Sequence, residues 1–506
     1  MTAASNRPDA SSSSANNGAA VPPVKIRSNT PPSYDRTSPA PQAPARLRAN
    51  DGAGSGVTNP DPRRTTNARR VRNRRADLIL TVIAVTTGIA IGLGFDAQPW
   101  SDWTTPHSLF TALSRVAAMS GTAFALASLL LSGRIAWIER SVGQDRLIKW
   151  HRVLGPYSLY LILAHVVLVT VGYALADKVN VWSEFWTVIW NMSWMIWALV
   201  GFAAMMMIGV TSYRRVRGKL KYEQWWMLHL FAYLGVTLSF MHQIVDGTMF
   251  LGHPLLRIWW TAIYVATFTT IIWFRIIVPW VSSLYHGFQV ERVEVENHNT
   301  ISVIMKGRHL EELEARGGQF FAFRFLARRY WWESHPYSLS AAPRNNRLRI
   351  TVKDLGDHSS WLRNLKPGTR VFIEGPYGVF TADQADGEHI TLIAAGVGVT
   401  PIRALLEELP RGKQIDIVWR ASKEEDLMLR DEVEALARWH NARLHYVVGS
   451  RQQASLDVRT LRTLVPTIKD SHVFLCGPGA VIKQAVDSCH ALGVPKDRIH
   501  DEAFAF

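Results

Sequence analysis

Between residues 77 and 281 the chain runs in apolar blocks divided by short polar stretches. Each block is close to the roughly 20 residues that a helix needs to cross a bilayer. The pattern predicts six spans, at 77–95, 108–132, 150–176, 186–210, 225–245 and 256–281. Past these the period changes. "FQVERVEVE", "TISVIMKG", "RLRITVKDL" and "RVFIEGPYG" alternate apolar and polar residues between turns. Such alternation predicts an antiparallel sheet, here a small barrel. The period then changes again. "HITLIAAGVGVTPIRALLEEL" reads as a buried strand, a Gly-rich turn and a helix, and "QIDIVWRAS" and "SHVFLCGPG" as further strands with helices between. That succession predicts an α/β domain on a parallel sheet. The segment 1–75 is rich in Ser, Pro and Ala and ends in "RRTTNARRVRNRR". Such composition predicts a disordered tail. The expected organisation is a tail (1–75), a six-span domain (76–284), a barrel (285–383) and an α/β domain (384–506).

Charge refines this picture. A formal net charge of +15 raises nucleic-acid binding first, but its distribution argues for another cause. Loop 133–149 carries Arg134, Arg140, Arg146 and Lys149, and loop 211–224 carries Arg214, Arg215, Arg217, Lys219 and Lys221. The alternate loops hold no Lys or Arg (96–107) or only Lys178 (177–185). By the positive-inside rule, the tail and the basic loops face the cytoplasm. An even number of spans returns the C-terminal domains to that side. Much of the charge therefore marks topology, and no nucleic-acid partner is expected. The 20 Trp suit the two faces of a bilayer. Two cysteines, Cys476 and Cys489, leave no disulfide scaffold and fit a reducing compartment. The segment 1–60 lacks the apolar core of a cleavable signal, so none is expected.

The spans carry histidines, which are costly in lipid and kept there for a partner or a task. "WHRVLGPYSLYLILAH" holds His151 and His165, and "WWMLHLFAYLGVTLSFMH" holds His229 and His242. Separations of 14 and 13 residues amount to about 21 and 20 Å along a helix. His151 then shares a depth with His229, near the inner face, and His165 with His242, near the outer face. Two imidazoles at each of two depths suit two haems, each iron held by two histidines. Packing histidines and a metal or proton relay are the alternatives. The 14-residue step returns to within about 40° of its starting face, whereas 13 residues miss by about 140°. The fifth span is therefore expected to bend, or to turn its histidines to different sides. Pro156 is placed to bend the third span.

"WHRVLG…H" and "WMLHLFAYL…H" resemble the haem-binding helices of the ferric reductase and NADPH oxidase superfamily, and the resemblance covers about 77–506. It implies a multi-domain membrane protein. A six-helix transmembrane haem bundle would precede a β-barrel FAD-binding domain and an α/β nucleotide-binding domain of ferredoxin–NADP reductase type. His151, His165, His229 and His242 would ligate two haems b. Arg115, inside the second span, would meet an outer-haem propionate, with snorkelling to the surface as the alternative. Arg152 and Lys149 would do the same at the inner haem. "HPYS" implies FAD contacts by His335, Pro336, Tyr337 and Ser338, with Ser338 near the reactive N5. "GDHSSWL" implies a pyrophosphate at a helix start, held through Gly356, Asp357 and Ser359. Ordinary capping by that serine is compatible.

In the last domain the resemblance assigns "GVGVTP", with Gly396, Gly398, Thr400 and Pro401, to a dinucleotide. Arg420, Ser422 and Lys423 of "WRASK" would grip a 2′-phosphate, favouring NADPH over NADH, unless the turn is simply solvated. Cys476 and Gly477 of "CGPG" would lie beside the nicotinamide. The ending "IHDEAFAF" aligns Glu502 and Phe504 with a family pattern in which the aromatic covers the flavin, and Phe506 is the other candidate. The expected activity is electron transfer from cytosolic NADPH through FAD and both haems to an acceptor outside the cell membrane, either a ferric chelate or dioxygen. Two alternatives are an electron-donating subunit for an outer-side redox partner protein and a flavin reductase on a haem-free anchor.

Overall fold

The computed structural model describes residues 25–29, 62–96, 103–220, 222–250, 253–328, 330–450 and 452–504. The tail expected to be disordered falls mostly outside these. Two parts of it do not fit that expectation: Lys25–Asn29 forms strand β1, and the first long helix already begins at Pro62. The chain divides into two compact units. One is built on residues 389–398 and 414 onward together with β1, and the other on residues 42–388 and 399–413.

Among the described residues of the larger unit, six helices are long and apolar enough to cross a membrane: Asp77–Asp96, Pro106–Ser132, Arg146–Asp177, Met195–Ser212, Gln224–Val245 and Pro254–His286. The second is the most enclosed of them. Its sequence explains why. Ala112, Ser114, Ala117, Ser120, Gly121, Ala123 and Ala125 are buried along it, and small residues let helix backbones approach closely. A Cβ on Gly121 would stand 3.0 Å from Leu161 Cβ of the third span.

The fourth span starts at Met195, not at 186. The apolar segment before it is a separate helix, Val181–Asn191, capped by the Asn180 side chain. Its Trp182 and Trp190 are exposed. The backbone N–H of Trp194, in the break, donates to Asp246 Oδ2 at 3.4 Å. The fifth span is interrupted, and a bend is one of the two arrangements that the spacing of its histidines allows. It is three short helices, Tyr222–His229, Phe231–Leu238 and Phe240–Val245. At the second break the Ser239 hydroxyl donates back to the carbonyls of Gly235 and Val236, a bond that competes with the helical ladder. The sixth span holds a π-turn at Trp273–Ile277. Pro279 follows it and offers no N–H to the preceding turn.

The barrel belongs to the same unit. Strands β2 (Gln289–Asn297), β3 (Thr300–Lys306) and β6 (Arg347–Lys353) form one antiparallel sheet, and β4 (Phe320–Phe325), β5 (His335–Ser338) and β7 (Val371–Tyr377) form another in the order β5-β4-β7. Isolated bridges Gln289–Arg370 and Leu339–Ile350 join the two. Phe321, Phe323, Phe325, Leu339 and Ile350 fill the space between them with no exposed surface. Helix Val399–Glu408 also goes with this unit: a Cβ on Gly317 would lie 2.3 Å from Ala404 O, and Glu407 accepts from Ala342 N at 2.9 Å.

The smaller unit is a six-stranded sheet. Its parallel strands are β8 (His389–Ala395), β9 (Gln414–Ala421), β10 (Arg443–Val448), β11 (His472–Pro478) and β12 (Ile499–Phe504), in the order β1-β10-β9-β8-β11-β12. β1 runs antiparallel along β10 and covers what would otherwise be an open edge.

Candidate functional site

The four membrane histidines fall into two sets. His151 and His229 face each other with ring centroids 6.0 Å apart at an interplanar angle of 72°. An iron between two imidazoles, at metal–nitrogen bonds of about 2 Å, needs a separation of that order. His165 and His242 line one cavity of about 210 Å³, partly open to its surroundings. Arg115 lines it too, which brings together three residues expected at the outer haem.

The second span prepares both sets. Nδ1 of His151 lies 2.8 Å from Ser128 Oγ and 3.1 Å from Ser128 O. Nδ1 of His165 lies 3.0 Å from Ser114 Oγ and 3.1 Å from Ser114 O. The carbonyl can only accept, so Nδ1 carries the proton and Nε2 keeps its lone pair. That tautomer is the one a metal needs. Nδ1 of His229 has a weaker contact with Ser212 Oγ at 3.3 Å, and Trp225 Nε1 donates to the same oxygen. The buried Nδ1 of His242 makes no hydrogen bond to the protein beyond a weak approach to the Ser239 backbone. The serines were missed in the sequence. The interval from Ser114 to Ser128 equals that from His151 to His165, and that repeat on two adjacent spans was the available signal.

On β5, Ser338 is buried and pairs with Phe320 of β4. His335 Nε2 lies 3.1 Å from Glu333 Oε2, and its ring centroid is 3.8 Å from that of His358. Tyr337 Oη lies 3.2 Å from His358 Nδ1. Burial and then the neighbouring His335 push the His358 imidazole down to about 4. Glu333, His335 and His358 offer ligand atoms all within 4.8 Å of one another, a cluster that contains the expected flavin contact His335. The Ser359 hydroxyl accepts from the N–H groups of Leu355 and Gly356 and donates to Gly356 O. It caps its short helix, Asp357–Trp361.

In the smaller unit the connections leave β8 for β9 and β10 on one side and for β11 and β12 on the other. The crevice outside the strand ends at such a reversal is where α/β sheets bind ligands. Gly396–Gly398 and Cys476–Gly477 meet there. A Cβ on Gly398 would stand 2.0 Å from Cys476 O, so only glycine fits. Gly477 adopts φ +156°. Thr400 and Pro401 are buried in the first turn of the helix that follows. Arg420 is largely buried, with long contacts of 3.4 Å to Ser422 Oγ and Gly449 O, while Ser422 and Lys423 are exposed. Cys476 pairs in register with Glu502, and Pro478 with Phe504. Burial, then Glu502, raises the Cys476 thiol well above its ordinary value. Phe506 lies outside the described residues.

Known proteins match in the same three blocks. Residues 117–240 match the ferric reductase like transmembrane component, 285–381 an FAD-binding domain and 392–487 the oxidoreductase NAD-binding domain. Ferredoxin–NADP reductase B of Sorangium cellulosum is 32% identical over 188 residues, covering 33% of this chain and 77% of the relative. An NADPH oxidoreductase of Mycobacterium tuberculosis is 29% identical over 224 residues, covering 42% of this chain but only 58% of its own length. The solved FAD/NAD-binding domain of nitric oxide dioxygenase from Vibrio cholerae is 26% identical, with a TM-score of 0.38, over 43% of this chain and 98% of that one. With its ferric-reductase-like membrane domain followed by FAD- and NAD-binding domains of ferredoxin–NADP reductase type, the chain has a ferric reductase/NADPH oxidase-like architecture and is an NAD(P)H-dependent oxidoreductase.

Proposed function

We propose that the protein carries electrons across the cell membrane, from cytosolic NADPH to an acceptor on the outer side. The observation that carries this reading is the pair of serine-held histidines, His151 and His165, each opposite a histidine of the fifth span. Bound to this chain, FAD would divide a hydride's two electrons, and two haems b would take them singly. His151 with His229 would hold the inner haem, and His165 with His242 the outer. Ser128 and Ser114 fix the tautomer that leaves Nε2 free to ligate. Arg115 supplies positive charge for an outer propionate. Ser338 and Tyr337 present the flavin edge, and the Gly398 turn admits a dinucleotide's phosphates. NADH is the alternative donor. Charge moving outward makes the rate sensitive to membrane potential.

A bis-histidine iron leaves no open position, so the acceptor, a ferric chelate or dioxygen, would react at the haem edge. Anaerobic reduction of the purified protein by NADPH, followed by visible spectra, tests the scheme. Haem reduction, then reoxidation on adding ferric citrate or oxygen, is expected. Absence of haem, or haem that NADPH does not reduce, overturns it. Reduced haem that neither acceptor reoxidises favours an outer-side redox partner protein instead.

A further inference from the structure

The basic loop after the second span was assigned to topology, yet Arg134 does more than sit in it. Its backbone adopts φ +50°, left-handed and uncommon for a side chain of this size. Such an outlier persists when its contacts over-determine it. The contacts converge on one carboxylate. Glu374 Oε1 takes Tyr377 Oη at 2.7 Å, Arg275 Nη1 at 3.1 Å and Arg134 Nη1 at 3.6 Å. The Arg134 guanidinium also lies 5.2 Å from the centre of the Tyr377 ring. Arg275 is in the π-turn of the sixth span, and further along that span Ser283 Oγ donates to Ile373 O and accepts from Ile373 N. Two membrane elements thus hold one barrel strand, β7, and the carboxylate side chain is only 18% exposed.

The strand they hold matters. Tyr377 pairs with Phe320 of β4, and Phe320 pairs with Ser338 of β5. One rung therefore runs from the arginine cluster to the flavin motif. On the other side, Arg134 follows closely on Ser128, which holds His151. We infer that Arg134, Arg275, Glu374 and Tyr377 form a clasp that sets the spacing between the flavin motif and the inner histidine pair. It is a positioning device for the electron-transfer step and rests on the function proposed above. Electron transfer falls steeply with distance, so loosening the clasp slows that step and spares hydride transfer to the flavin.

The test uses the full chain, isolated with its cofactors, and Glu374→Gln, which keeps shape and removes the charge. On anaerobic mixing with NADPH, flavin bleaching is expected to stay within twofold of wild type, while haem reduction slows at least tenfold. Hydrogen exchange over 371–377 and 275–286 is expected to quicken, and Glu374→Asp to restore haem reduction to within about threefold. Should Glu374→Gln not fold, Arg134→Gln, which leaves the Arg275–Glu374 pair, is expected to slow haem reduction at least threefold. Haem reduction equal to wild type, or slowed only in proportion to flavin bleaching, overturns the clasp. Wild-type haem that NADPH fails to reduce overturns the underlying function instead, so the two failures are distinct.

Discussion

Ser128→Ala probes the haem reading through a residue that would touch no iron. The His151 ring nitrogen has two acceptors on one residue, the hydroxyl at 2.8 Å and the carbonyl at 3.1 Å. Alanine removes the first and keeps the second. A full loss of a hydrogen-bonded support behind a metal ligand typically costs 10- to 100-fold in affinity. Here one N–H is shared and half of the support survives, so the loss is nearer that of one ordinary hydrogen bond, about 0.5–1.5 kcal/mol. That corresponds to roughly 2- to 12-fold weaker haem retention. Ser114→Ala should do the same at His165, whose contacts are 3.0 and 3.1 Å. The assay is the rate of haem transfer from the purified protein to apomyoglobin, which resolves one accelerated phase of two. A Ser128→Ala protein that releases haem at the wild-type rate refutes the argument. So does one that behaves like His151→Ala, because the retained carbonyl would then count for nothing.

Three further outcomes follow from the same geometry. His165→Ala should halve the haem content measured as pyridine haemochrome and leave the inner spectrum; unchanged content would defeat the ligand assignment. Gly398→Ala places a Cβ 2.0 Å from Cys476 O. Relieving it costs about 1–3 kcal/mol of folding stability and shifts the turn, so the thermal midpoint should fall and NADPH binding, measured by titration, should weaken with flavin content intact. His358 titrates near 4 when folded and near 6.5 when unfolded. Between those values the unfolded chain binds the extra proton, so stability contributed at this site falls as pH drops from 6.5 to 4 and is level outside that window. Thermal unfolding of His358→Gln should show a flatter pH dependence there; an unchanged slope would show that other groups set it.

Much of this was legible because lipid makes polar residues conspicuous. Four histidines in apolar blocks stand out by their cost, and their spacing allowed either a bend in the fifth span or histidines turned to different sides; the span is interrupted at Leu230 and Ser239. Residues that cost little gave less away. Ser114 and Ser128 look like any small residues at a helix contact, and only an interval shared with the third-span histidines distinguishes them. Hydropathy also misplaced the fourth span: Trp182–Trp190 is as apolar as a span, and the asparagine cap that makes it a separate helix weighs little in a window average. His358 sat inside a quoted motif, but its partner His335 stands in a different one, on β5, and meets it only through the barrel. β1 is a short strand whose meaning comes entirely from the edge of β10.

The histidine partners also differ between the two depths, and that difference has a direction. The two third-span histidines are held alike. On the fifth span, Nδ1 of His229 has the Ser212 hydroxyl at 3.3 Å, whereas Nδ1 of His242 makes no such bond. A hydrogen bond donated from Nδ1 makes the imidazole a stronger base, which favours ferric over ferrous iron and lowers the potential. At the outer pair, His242 has only the weak approach to the Ser239 backbone in its place, and Arg115 on the cavity wall would favour the electron-rich state of a haem bound there. On the proposed two-haem reading, both effects would set the outer potential above the inner, so electrons would run downhill outward. The hydrogen bond alone, at about 0.5–1.5 kcal/mol, corresponds to roughly 20–60 mV for one electron. Spectroelectrochemical titration of wild type and of His165→Ala, which keeps only the inner haem, assigns each midpoint. An inner midpoint equal to or above the outer would mean that the Ser212 contact does not govern the difference, and the outward direction would then have to come from the acceptor or the membrane potential.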